Sequence, residues 1–201
     1  MQQKITHCLL CERSLQFTFG WKELFKRELP KTICQRCEGK FQWIETQEEE
    51  GTVSLFHYNE TMKDFLHRYK FLHDILLAHV FNQVLQQHLK HEKSIIVPIP
   101  MHVDRLKKRT FAHVDELLKA AQIPFEHHLI KITGEQQSLK SRQERLQTPQ
   151  LFEIIEHSKI KDKNILLMDD IYTTGTTIQH AKKALKEAGA MEVRAFTLIH
   201  G

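Results

Sequence analysis

No stretch of the 201-residue chain reaches the roughly 18 consecutive apolar residues of a membrane helix, so no membrane insertion is expected. The amino end, MQQKITHCLL, lacks an apolar core of signal-peptide length, and the expected location is therefore the cytoplasm. Charge of one sign is missing too. Lys and Arg number 29 against 25 Asp and Glu, and the resulting +4 permits a polyanionic partner without demanding one. There is no Gly-Lys-Ser/Thr of a Walker loop and no GxGxxG of a dinucleotide fold. No helix-turn-helix pattern is visible, which argues against a DNA-reading regulator. What remains is a chain with 41% hydrophobic residues, enough for a packed core and against wholesale disorder. At about 100–200 residues per domain, the length allows one domain and a small appendage.

The appendage is marked by cysteine. All four cysteines fall in the first 37 residues, as Cys8-x2-Cys11 and Cys34-x2-Cys37, with a loop of about 20 residues between the pairs. A reducing cytosol disfavours disulfides, and a redox CxxC would need an adjacent βαβ pattern that is absent. Two tight CxxC turns can aim four sulfurs at one ion, and four thiolates leave no open position. The spacing therefore predicts a structural zinc site and not a catalytic one. The intervening Phe17, Phe19, Trp21, Leu24 and Phe25 are too few to form a core, so metal binding is expected to supply much of the folding energy of residues 1–45. The charges of Lys22, Lys26, Arg27 and Lys31 leave open whether this module also docks DNA or a partner.

Residues 45–51 (ETQEEEG) read as an acidic linker, and residues 52–201 as the main domain. Strands are expected at 52–57, 94–100, 128–133, 164–168 and 192–199. Helical periodicity covers 62–89, as one long helix or two broken near 70–73, and recurs at 113–121 and 178–188. Gly189 suits a left-handed helix cap. Residues 134–150 form a long polar segment carrying Lys140, Arg142 and Arg145, a length more often functional than structural. Strands alternating with helices predict an α/β domain with a mainly parallel sheet.

Residues 165–177 read ILLMDDIYTTGTT. Four apolar residues make a buried strand, and Asp169 and Asp170 stand where it should emerge. Thr173, Thr174, Gly175, Thr176 and Thr177 form the following turn, and a helix starts there. Such strand ends are where open α/β sheets hold ligands. Backbone N–H groups around a glycine at a helix start suit a phosphate. Carboxylates suit hydroxyls or magnesium. Together they fit a sugar phosphate. The plainer alternative is turn-forming aspartates and capping threonines, but one Ser or Thr suffices for a cap.

This stretch resembles the 5-phosphoribosyl-1-pyrophosphate (PRPP) motif of type I phosphoribosyltransferases. The resemblance implies that Asp169 and Asp170 hold ribose hydroxyls and that residues 173–177 cradle the 5′-phosphate. Pyrophosphate and magnesium would then sit near the loop after IVPIP. Nearly the whole chain resembles the ComF family of competence proteins, which joins a four-cysteine zinc module to a phosphoribosyltransferase-like domain. RYKF (68–71), VPIP (97–100), RLKKRTF (105–111) and QSLKSRQER (137–145) carry that likeness, with Thr110 where the family usually has Gly and Ala112 where it has Asn. The family implies cytosolic handling of incoming single-stranded DNA with a helicase-like competence partner. Arg105, Lys107, Lys108, Arg109, Arg142 and Arg145 are the candidate DNA or pyrophosphate contacts, and Phe41, Trp43, Phe111 and Tyr172 the candidate base-stacking rings. The other functional class is an active magnesium-dependent phosphoribosyltransferase, for which no residue set reads an acceptor base. Lys159, Lys161 and Lys163 read as a solvated face.

Overall fold

A computed structural model describes residues 5–15, 29–45, 48–49, 51–132 and 151–201. The order is α1 (Gln35–Glu38), β1 (Glu48–Glu49), β2 (Thr52–His57), α2 (Glu60–Phe71), a 3-10 segment (Ile75–Phe81), α3 (Asn82–Leu89), β3 (Ile95–Pro98), α4 (Val103–Arg109), α5 (His113–Ala120), β4 (Leu129–Lys131), β5 (Phe152–Ile154), a short 3-10 turn (His157–Lys159), β6 (Asn164–Tyr172), α6 (Thr176–Glu187) and β7 (Glu192–His200). Five strands form one sheet in the order β1-β2-β7-β6-β3. All neighbours in it are parallel except the β1 edge. This is the expected α/β architecture.

Both sheet faces are covered, so β6 reads as a continuous apolar run. Its side chains alternate between faces. Leu166 and Met168 join the core beneath α2, the 3-10 segment, α3 and α5, together with Tyr69, Phe81 and Leu117. Ile165 and Leu167 join the opposite core with Ile178 and Leu185 of α6 and Phe152 of β5. The described part of the cysteine module is continuous with the first core, where Cys8, Ile33, Cys37 and Phe41 pack with Phe56 and Phe81. The Phe41 and Phe81 rings lie 5.0 Å apart.

The structure decides one open choice and alters three expectations. The helical stretch at 62–89 takes the broken form, with the break where it was expected: α2 stops at Phe71, His73 takes a left-handed φ of 57°, and a 3-10 segment leads into α3. The 128–133 strand lies outside the main sheet. As β4 it pairs antiparallel with β5, a short strand the periodicity did not reveal. Within the supposed acidic linker, Glu48 and Glu49 pair with β2. Finally, β6 does not end at Met168, because Ile171 and Tyr172 continue the ladder against Ile199 and His200. The two aspartates are therefore strand residues.

Candidate functional site

In a pleated strand, adjacent side chains leave opposite faces, so Asp169 and Asp170 meet different surroundings. Asp170 follows Leu166 and Met168 toward α2, where Lys70 Nζ lies 2.6 Å from its Oδ2. Asp169 accepts the Asp170 N–H on Oδ1 at 2.9 Å and feels Lys131 of β4. Burial and the Asp170 charge push the Asp169 carboxyl up to about 7, against the Asp170 N–H, Lys70 and Lys131.

Beyond β6 the chain turns through Thr173 and Thr174 into Gly175, which stands at φ 69° at the head of α6. A Cβ there would fall 2.5 Å from the Tyr172 hydroxyl, so both conformation and space demand glycine. Thr174 and Thr176 share a hydroxyl hydrogen bond of 3.0 Å.

These groups border a crevice of about 520 Å³, with Asp169, Asp170, Thr173 and Thr177 on its wall. Arg105 and Arg109 of α4 line it as well, with Lys70, Lys131 and Asp115. Arg109 donates to His113 Nδ1 at 3.2 Å. Burial brings His113 down to about 4, which keeps the ring neutral and able to accept. Burial also lowers the pKa of Lys131, assisted by Arg105 and opposed by Asp169.

A second cavity of about 380 Å³ adjoins, lined by Lys70, Phe71, His73, Arg105, Lys108 and Arg109. Among the described residues, no carboxylate lines it. The Arg109 guanidinium lies 5.3 Å from the centroid of Phe71, a ring left 60% exposed. His73 Nδ1 lies 3.1 Å from the Arg109 carbonyl and ties the two helix ends together. Thr110, just after α4, adopts φ 65°, a conformation that favours glycine.

The cysteine pairs converge. None of the four is in a disulfide, and their Sγ atoms all lie within 4.8 Å of one another. Cys11 and Cys34 Sγ are 3.7 Å apart. A tetrahedron with metal–sulfur bonds of about 2.3 Å has edges of about 3.8 Å, so the donor set fits a metal ion. Burial opposes ionisation of Cys8, but the N–H groups of Cys34, Cys11 and Leu10 outweigh it and bring the thiol down to about 7.

The structure thus gathers Asp169, Asp170, Thr173, Thr177, Arg105 and Arg109 around one crevice and adds Lys108 beside it. Thr174, Gly175 and Thr176 shape the turn, while Lys107 borders neither cavity. Arg142 and Arg145, with the rest of 133–150, lie outside the described residues, as do Phe17, Phe19, Trp21, Leu24, Phe25, Lys22, Lys26 and Arg27. Of the proposed stacking rings, Phe41 and Tyr172 are core residues at 6% and 5% exposure, which corrects their assignment. Trp43 is exposed but leans on Phe56. Sequence reasoning passed over Lys70, Phe71 and Lys131 as site residues. Lys131 carried a signal, as the one charge inside the HLIKIT run; Lys70 carried none beyond its place in RYKF.

Between about pH 4 and pH 7 the folded protein holds a proton on Asp169 that the unfolded chain, with a value near 3.8, has released. The contribution of this carboxyl to stability falls as pH rises through that window and levels off above it. Asp169→Asn should therefore gain in urea midpoint relative to wild type from pH 4 to pH 7. Parallel pH profiles for the two proteins would overturn the assignment.

Residues 107–201 match the phosphoribosyl transferase domain model. Competence protein ComFC of Streptococcus pneumoniae is 42% identical over 175 residues, 87% of this chain and 77% of that protein. Competence protein ComFC of Bacillus subtilis is 28% identical over 226 residues, 96% of this chain and 94% of that protein. Among solved structures, glutamine phosphoribosylpyrophosphate amidotransferase from B. subtilis superposes with a TM-score of 0.46 at 20% identity, over 66% of this chain and 30% of that one. The chain belongs to the ComFC family of competence proteins, with a type I phosphoribosyltransferase-like sheet and a four-cysteine cluster able to hold a metal ion.

Proposed function

We propose that the crevice at the end of β6 is a PRPP-type sugar-phosphate pocket in a competence protein that aids uptake or processing of incoming single-stranded DNA in the cytoplasm. The observation that carries the pocket is the left-handed Gly175 turn at the head of α6, set beside the Asp169 carboxyl in a crevice of about 520 Å³. In this reading residues 173–177 take the 5′-phosphate, with Thr173 and Thr177 on the wall. Asp169 and Asp170 accept from ribose hydroxyls. Arg105, Arg109 and Lys131 face the diphosphate. Magnesium would enter with that diphosphate, whose phosphate oxygens are the hard donors it prefers.

The neighbouring basic cavity supports the DNA side. Arg105, Lys108 and Arg109 offer charge to a phosphate backbone, and exposed Phe71 offers a ring for a base. Arg142 and Arg145 belong to the same proposal by sequence alone, and a helicase-like competence protein is the proposed partner. Residues 1–45 are proposed as a zinc-binding module and 52–201 as the phosphoribosyltransferase-like domain. Zinc is the ion that four thiolates at this spacing favour.

A second reading, active phosphoribosyl transfer to an unidentified acceptor, is favoured by Arg105, Arg109 and Lys131 converging where a departing pyrophosphate would need cations.

Calorimetry with magnesium and PRPP should show binding to the full chain. Gly175→Ala should weaken it by about tenfold or more, through strain in the turn. Pyrophosphate release during incubation with a panel of acceptors distinguishes catalysis from ligand holding. Absence of any PRPP binding would remove the pocket reading. For DNA, affinity for a single-stranded oligonucleotide should fall steeply with salt. The triple variant Arg105→Ala, Lys108→Ala, Arg109→Ala should flatten the logarithmic slope by about 2, at roughly 0.7 per lost phosphate contact. A salt-independent affinity would overturn this part. Elemental analysis should find one zinc per chain. Cys34→Ser should lose it and lower the thermal midpoint of the whole protein, because Cys8 and Cys37 share a core with Phe56 and Phe81. Full zinc occupancy in that variant would contradict the site.

A further inference from the structure

The pairing of Lys70 with Asp170 is built into the fold. Lys70 comes from the last turn of α2 and Asp170 from β6, and their side chains are only 12% and 10% exposed. At 2.6 Å the ammonium sits in ion-pair contact with the carboxylate and offsets its charge. Tyr69, next to Lys70 and fully buried, donates to the His113 carbonyl at 2.7 Å and fixes this end of the helix. Arg68 holds the following turn through Asp74 at 3.0 Å and through the carbonyls of Leu9 and Leu10. Lys70 is thus placed by neighbours on both sides and has little freedom to leave.

The charges around the crevice are unusual for a site read from its acid pair. Lys70, Arg105, Arg109 and Lys131 line it against Asp115, Asp169 and Asp170, and Asp115 lies 3.1 Å from His127. Two adjacent carboxylates repel an approaching anion unless nearby positive charge offsets them. Here an ammonium already occupies one carboxylate, and Lys131 attends the other.

Resting on the reading of the crevice as a sugar-phosphate pocket, we propose that Lys70 is the resident counter-ion of the acid pair, so that the crevice accepts a sugar 5-phosphate without a divalent cation. The metal requirement then belongs to a diphosphate, when one is present, and not to Asp169 and Asp170. Lys70 acts as a positioning residue: it holds Asp170 oriented as an acceptor for a ribose hydroxyl, and it spares the 5-phosphate the repulsion of two bare carboxylates.

The probe is ribose 5-phosphate, which lacks the diphosphate. Its affinity for the full-length protein is measured by calorimetry in magnesium and in EDTA, with PRPP titrated in parallel. Wild type should bind ribose 5-phosphate equally in both media, within about twofold, while PRPP prefers magnesium. Lys70→Met should lose about tenfold or more in EDTA and recover with magnesium, because the metal then replaces the missing charge. Lys70→Arg should keep the metal independence. A wild type that requires magnesium for ribose 5-phosphate would overturn the proposal, as would equal losses for Lys70→Met in both media. Should Lys70→Met fail to fold, wild type and Lys70→Arg still decide the matter. If neither sugar phosphate binds under any condition, the pocket reading itself falls, and this inference falls with it.

Discussion

A buried ion pair between Lys70 and Asp170 ties the helical layer to the strand that ends in the crevice. The pair is costly to desolvate, so it persists only where its geometry is good and the surroundings hold both partners. Those surroundings are specific. Tyr69 anchors the helix end beneath α5, Arg68 anchors the turn that follows, and β6 is clamped between β7 and β3. Break at Phe71, left-handed turn at His73 and 3-10 segment after it all serve to end α2 where Lys70 faces the sheet. The basic cavity exists for the same reason, since the end of α2 meets the end of α4 through His73 and Arg109.

The two carboxylates that look alike in the chain are chemically distinct in the fold. Asp170 is paired and nine-tenths buried; Asp169 has no ammonium at contact distance among the described residues, and burial pushes it up to about 7. One acid is a fixed acceptor and the other a group able to exchange a proton near neutrality. The threonine turn adds a region of backbone donors in which Gly175 alone carries the conformational demand. Acid, turn and basic wall therefore form three chemically different sides of one crevice. The cysteine module adds a fourth dependence, because Cys8, Cys37 and Phe41 pack into the core that supports α2.

Much of this was legible in the sequence. The apolar run 165–168 and the β-prone run 192–199 announced the central strands, and the glycine at 175 announced a turn at a helix start. The CxxC spacing announced four sulfurs around one point. Period and spacing are local properties, and local properties survive in the sequence. Less legible were the elements whose partner lies far along the chain. The 128–133 strand pairs with residues 152–154 and not with the sheet, and a strand's partner leaves no mark on its own periodicity. Phe41 and Tyr172 looked like stacking rings because an aromatic residue shows the same letter in a core as on a surface.

The sequence by itself determined the architecture, the four-cysteine cluster and the acid-threonine-glycine segment, since each is written in residues near one another in the chain. Tertiary structure alone decided which carboxylate is paired, which cations line the crevice and which ring is exposed. Lys70 and Asp170 are separated by 100 positions and meet only because α2 packs across the face of β6 that carries Leu166 and Met168. Their encounter follows from the two-residue alternation of a strand combined with the length of a helix, and neither can be read until both elements are in place.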